Sequence, residues 1–182
     1  MQIGLYRPLI AIFLNQISKK RGMSDTDPKE FLTEWLVRYL KNKDLLLRSI
    51  VSIERDKEGA DVFVEFKDKK QHFIVCPFIR DLRTLIQGLD QEKHITWVVF
   101  NTAENFRGLL DGWKELAEFR HFSMYFVNPF SLTDKRWIIF PYTHERISDK
   151  ASLETGLKAL FDSVEMLTEK TVLNHIATAA AS

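Results

Sequence analysis

One stretch limits the fold of this chain more than any other: residues 95–100, Ile-Thr-Trp-Val-Val-Phe. Successive side chains on a strand point to opposite faces, so a near-continuous apolar run needs cover on both sides. The run therefore predicts a strand buried in the middle of a sheet, with helices above and below it. The residues before it predict the rest of that sheet. Residues 49–55 alternate and are β-branched, Asp56-Lys57-Glu58-Gly59 reads as a turn, and 60–67 is a second strand. A tight turn at Asp68-Lys69 leads to a third strand at 71–78. Three strands joined by short polar turns make an antiparallel meander. A short helix over 80–89, with Leu82, Leu85, Ile86 and Leu89 on one side, separates the meander from the buried run.

Helical periodicity frames these strands. Asp27 is placed to cap a helix with Pro28 at its first position and Glu30 as the capping-box carboxylate; Phe31, Leu32, Trp35, Leu36, Tyr39 and Leu40 recur at helical spacing. Asn101 and Glu104 read as the cap of a helix carrying Phe106, Leu109, Leu110, Trp113 and Leu116. Strands at 122–127 and 137–140 follow, then a polar loop with Tyr142 and His144, then a C-terminal helix over 152–176 with Leu153, Leu157, Leu160, Phe161, Val164 and Leu167 inward. An N-terminal helix over 1–22 is expected from Pro8 and the apolar face of Leu9, Ile10, Ile12, Phe13 and Ile17. The expectation is one α/β domain over 1–182, a mixed sheet flanked by helices.

Composition bounds the function. The chain has 182 residues, 45% apolar and 28% charged, as soluble globular domains do. Twenty-six basic against twenty-five acidic side chains give a net charge of +1, which removes the strong field of a general nucleic-acid-coating protein. The single cysteine, Cys76, excludes an intramolecular disulfide and a Cys-rich zinc module. The apolar stretch at 9–14 falls far short of the ~20 residues of a membrane span, and Lys19, Lys20 and Arg21 follow it instead of a small-residue cleavage site. A soluble, cytoplasmic protein without a membrane partner is expected. No Gly-rich phosphate loop is present, and the five histidines form no local ligand pair.

From residue 28 to 127 the predicted order is α-β-β-β-α-β, with the fourth strand parallel to the third. This order resembles the core of the PD-(D/E)XK nuclease superfamily, the restriction-endonuclease-like fold shared by Holliday-junction resolvases and RecB-type nuclease domains. The resemblance implies an acidic residue at the start of the second strand and an acid-x-Lys motif on the third. Two carboxylates would hold Mg²⁺ for phosphodiester cleavage, with a Glu on the preceding helix assisting. Asp61 fits the first acid and Glu34 the assisting one.

The third strand does not fit. A turn at Asp68-Lys69 pairs Glu65 with His72, Phe63 with Ile74 and Asp61 with Cys76, so the missing carboxylate belongs near Cys76 and the Lys near Phe78. Ile74-Val75-Cys76-Pro77-Phe78 supplies neither. Glu65-Phe66-Lys67 has the acid-x-Lys spacing, but Asp61 and Glu65 lie four residues apart on one strand, about 13 Å. Pairing with the first strand brings Glu65 near Ile50, which adds no acid. The expected function is a catalytically inactive binding or interaction module without a cofactor. The alternatives are a divergent Mg²⁺ nuclease using Asp61, Glu65, Lys67 and Glu34, and an oligomeric subunit docking through its terminal helices. Nucleic-acid contact, weak at this net charge, is expected at Lys67, Lys69 and Lys70 and at Arg80 and Arg83. His72 beside Glu65 reads as an exposed cross-strand contact, and Cys76 as a buried, inert thiol.

Overall fold

A computed structural model describes residues 27–132 and 135–180. The expected helix over 1–22 lies outside them. Helix α1 (Pro28–Asp44) begins as its punctuation predicts: the Asp27 carboxylate accepts from the Lys29 N–H, and Pro28 occupies the first turn. Glu30, in the first turn, reaches to Arg55 on the neighbouring strand, 2.6 Å away, as a charge-assisted pair.

Six strands form one mixed sheet in sequence order: β1 (Ile50–Lys57), β2 (Ala60–Phe66), β3 (Lys70–Val75), β4 (His94–Phe100), β5 (Phe122–Val127) and β6 (Arg136–Ile139). The first three are antiparallel; β4 runs parallel to β3, β5 parallel to β4, and β6 antiparallel to β5. The buried run 95–100 is therefore a central strand, as its composition demanded. The β1–β2 connection is tighter than its sequence suggested. Glu58 and Gly59, at φ 53° and 79°, are both left-handed, the geometry that matches strand twist in two-residue hairpins.

Helices cover both faces. On one, Leu32, Trp35, Leu36 and Leu40 of α1 and Val172 and Ile176 of α7 (Glu169–Ala180) bury Val62, Val64, Phe73, Val75, Val98, Phe100 and Val127. On the other, α2 (Leu82–Gln87), α3 (Ala103–Asp111), α4 (Trp113–Leu116) and α6 (Lys150–Asp162) cover Ile95, Trp97, Val99, Phe122, Met124 and Phe126. Each fully buried large side chain contributes about 1.5–3 kcal/mol.

Five segments differ from their sequence reading, one being the helix expected to carry Phe106 through Leu116, which breaks at Gly112 into α3 and α4. The expected helix at 80–89 spans only Leu82–Gln87, capped by Asp81. Thr102, not Asn101, caps α3, because the Asn101 side chain is drawn inward to the carbonyls of Phe161 and Val164. Tyr142 and His144 lie in a helix, α5 (Pro141–Ile147), where Pro141 sets the first turn. The expected helix over 152–176 is two helices: between α6 and α7, Leu167 makes a parallel bridge to Thr102 and breaks the helical ladder. Helix α7 continues to Ala180 and spends its apolar face, Val172 and Ile176, on the core.

Candidate functional site

In an open sheet with parallel strands, ligands meet the carboxyl ends of those strands. At the end of β3 the structure gathers Asp61, Lys29, Cys76, Phe78, Arg80 and Glu169. Asp61, near the start of β2, directs one carboxylate oxygen to the Val75 N–H (2.6 Å) and the other to the Lys29 ammonium (2.7 Å). Lys29 sits in the first turn of α1, where a cation opposes the helix dipole. The Asp61 carboxylate compensates that placement. An internal ammonium thus engages the first acid that the nuclease pattern would give to a metal.

The β2–β3 register differs from the sequence reading. Phe63 pairs with His72 and Glu65 with Lys70, and the Phe66 N–H donates to the Lys69 carbonyl. The turn residues are Lys67-Asp68, one position earlier than expected, and a one-residue shift of a hairpin turn moves every pair by two. Continuing this register sets Ile74, not Cys76, opposite Asp61, and the acid-x-Lys positions become Ile74 and Cys76. Neither is a carboxylate or an amine. Cys76 lies just past β3, and its thiol contacts the Phe78 carbonyl at 3.4 Å. Burial first, then the Asp61 charge, pushes the thiol up, with Lys29 and Arg80 opposing. A raised value disfavours the thiolate, the nucleophilic form. Phe78 packs on Phe100 with ring centroids 5.6 Å apart, and Arg80 lies over Phe78 while pairing with Glu169 of α7.

The other proposed acids are placed elsewhere. Glu34 pairs with Arg55 Nη1 at 2.6 Å, and Arg55 also holds Glu30. Glu65 faces Ser52 on β1, with Ile50 opposite Phe66, because the register shifts between Ile50 and Ser52. Asp61 and Glu65 remain four positions apart on β2, so Asp61, Glu34 and Glu65 do not share one ion. Among the described residues no group of three or more His, Cys, Asp or Glu side chains gathers to hold a metal. His72 is buried rather than exposed and meets Glu58 (3.3 Å), not Glu65.

The basic residues do not form one patch. Lys67, Lys69 and Lys70 are exposed at the β2–β3 hairpin, at the opposite end of β3 from Arg80 and Arg83. Lys69 and Val75 alone are about 20 Å apart at strand rise. Arg80 is tied to Glu169. The hairpin lysines instead share their end of the sheet with Lys43, on whose ammonium the charges of Arg136 and Lys69 act.

Sequence reasoning missed Lys29 and Arg55. A lysine in the first turn of a helix was a readable signal for the former; nothing in the sequence signalled the latter. Among the described residues no helix is long and apolar enough to cross a membrane. Comparison of the chain with protein-family models, curated proteins and solved structures finds no match.

Proposed function

We propose that this chain is a domain of restriction-endonuclease-like fold that binds nucleic acid without cutting it. The observation that carries the reading is the state of Asp61: its carboxylate is engaged by Lys29 and the Val75 N–H, and β3 offers no second carboxylate beside it. Metal-assisted hydrolysis needs at least two such ligands. The strand order and directions, an antiparallel meander followed by a parallel fourth strand, support the fold assignment. The exposed cations at the hairpin support phosphate contact there and not at the cleft.

Binding of this origin is electrostatic. Each phosphate neutralised on duplex DNA adds about −0.9 to the log–log salt slope, so three hairpin lysines give about −3. The test is a fluorescence titration of labelled duplex at low and physiological salt, with a parallel cleavage assay in Mg²⁺ and Mn²⁺. Binding that fades with salt, is lost in Lys69→Glu/Lys70→Glu, and comes with no cleavage supports the reading. Metal-dependent cleavage abolished by Asp61→Ala makes the protein a nuclease and overturns it. Equal affinity in the charge-reversed variant removes the hairpin as the interface.

A further inference from the structure

At the hairpin end of the sheet, on the face covered by α1, a cavity of about 330 Å³ opens between the end of α1 and the first residues of β3, β4 and β5. Its floor is polar where the sheet face is otherwise apolar. Gln71, Thr96 and Ser123, one from each of three adjacent strands, are buried in a row: Gln71 Nε2 donates to Thr96 Oγ1 at 2.8 Å, and Thr96 and Ser123 share a hydroxyl contact at 2.8 Å. Burying three polar side chains on a core-facing surface costs stability unless each is satisfied. Each has a partner here, but proton counting leaves one donor over. Thr96 Oγ1 already accepts from Gln71, so the Thr96–Ser123 contact uses one of two hydroxyl hydrogens. The other has no acceptor among the described residues.

The walls and rim have a different chemistry. Phe73, Tyr125 and Phe140 supply flat apolar surface beside the floor. Burial pushes the Tyr125 phenol up, so it stays a neutral donor. The Tyr39 phenol is likewise pushed up by burial, with the neighbouring Arg136 guanidinium opposing. Arg136 lies over the Tyr39 and Tyr125 rings at 4.8 and 5.8 Å. Lys43 and Lys69 line the rim, and partial burial, then Arg136 and Lys69, hold the Lys43 ammonium below its ordinary value. A cation destabilised by neighbouring cations gains from an anion placed among them. Two acids also line the cavity, but the charges that act on Lys43 are those of Arg136 and Lys69. Asp44 is committed to the Ser49 hydroxyl and the N–H groups of Ser49 and Ile50, and Asp68 sits in the hairpin turn close enough to act on His94.

We infer that this cavity binds a small planar organic anion, its ring against Phe73, Tyr125 and Phe140, a ring acceptor on the Thr96–Ser123 hydroxyls, and its carboxylate or phosphate at Lys43. Aromatic walls with a few convergent polar groups are the usual make-up of a small-molecule site, and the volume is at the small end of such sites. The inference differs from nucleic-acid binding at the hairpin tip, with which the cavity shares only Lys69.

Two ligand sources share this chemistry, a mononucleotide and an aromatic acid, so the probes are adenosine 5′-monophosphate and indole-3-acetate. Adenosine and 3-methylindole serve as their uncharged counterparts. Isothermal titration of the full chain is expected to give a Kd of about 1 mM or tighter for one of the two anions. The uncharged counterpart should bind at least about tenfold more weakly, as loss of a charge-assisted contact predicts. Lys43→Glu, an exposed change that leaves the fold intact, should weaken the anion by about tenfold, and Ser123→Ala by about fivefold. Thermal unfolding of each variant checks that it is folded. Which anion binds identifies the source. Binding of neither anion, or equal binding by wild type and both variants, overturns the inference.

Discussion

Removing the Lys29 ammonium should change stability far less than removing the Asp61 carboxylate, although the two are partners at 2.7 Å. The Lys29 side chain is 52% exposed and Asp61 18%. A pair with one solvated member is worth about 0.5 kcal/mol. Lys29→Met also relieves a cation at the positive end of α1, a gain of about 0.5 kcal/mol. The two effects cancel, and the substitution should be nearly neutral. Asp61→Ala removes in addition the acceptor of the Val75 N–H at 2.6 Å, at the end of the buried strand β3. A hydrogen bond to a charged acceptor contributes about 1.5–3 kcal/mol, so a loss of about 2 kcal/mol is expected. The coupling in the double mutant should be about 0.5 kcal/mol. Urea unfolding followed by far-ultraviolet circular dichroism, for both single variants and the double, measures all three quantities. A loss of about 2 kcal/mol or more on Lys29→Met, or a coupling of that size, would refute the reasoning. Asp61 and Lys29 would then be a buried ionic lock, and the weak-pair account of the cleft would fail.

Two further outcomes follow from groups elsewhere in the sheet. Asn101 is 0% exposed; it donates to the carbonyls of Phe161 and Val164 and accepts from Trp137 Nε1. Asn101→Leu leaves three buried polar groups unpaired and should cost about 4 kcal/mol, lowering the melting midpoint by about 10 °C in scanning calorimetry. His94 lies against His121 with ring centroids 4.4 Å apart and planes tilted by 47°, and burial, then the His121 charge, holds its imidazole below the ordinary value. The unfolded chain therefore takes up a proton that folded His94 resists. Its contribution to stability is present above about pH 6.5 and is lost as the pH falls below that value. Urea midpoints measured on either side of that pH should drop on acidification, and His94→Gln should flatten the drop.

The fold was legible because its main constraints are local. The run 95–100 required cover on both faces, and the switch from a 3.6 to a 2 period after α1 fixed where the meander begins. The cap of α1 at Asp27 and Pro28 formed as written. What failed were boundaries decided by distant partners. Asn101 reads as a cap by its residue type, yet Trp137 and the carbonyls after α6 claim its side chain. Tyr142 and His144 look like loop residues because the segment is polar, and only α5 packing beside β5 makes them helical.

The site was harder to read for a physical reason that differs between its two ends. At the Asp61 end, one residue of turn placement decided which side chains face the acid. The polar stretch Lys67-Asp68-Lys69-Lys70 contains two equally acceptable two-residue turns. The backbone pair Phe66–Lys69 selects one of them. At the hairpin end, Thr96 lay inside a run read as apolar, and nothing in the sequence named its partners. Thr96 faces Ser123 and bonds Gln71 only because β3, β4 and β5 run parallel in one particular register. Parallel strands are joined by crossovers, not by turns, so no local sequence encodes that register. It is set by the packing of Trp97, Phe122 and Met124 on one face against Val98, Phe100 and Val127 on the other. The polar row is therefore a product of the core, and its line of hydroxyls emerges only once the core has fixed the strands.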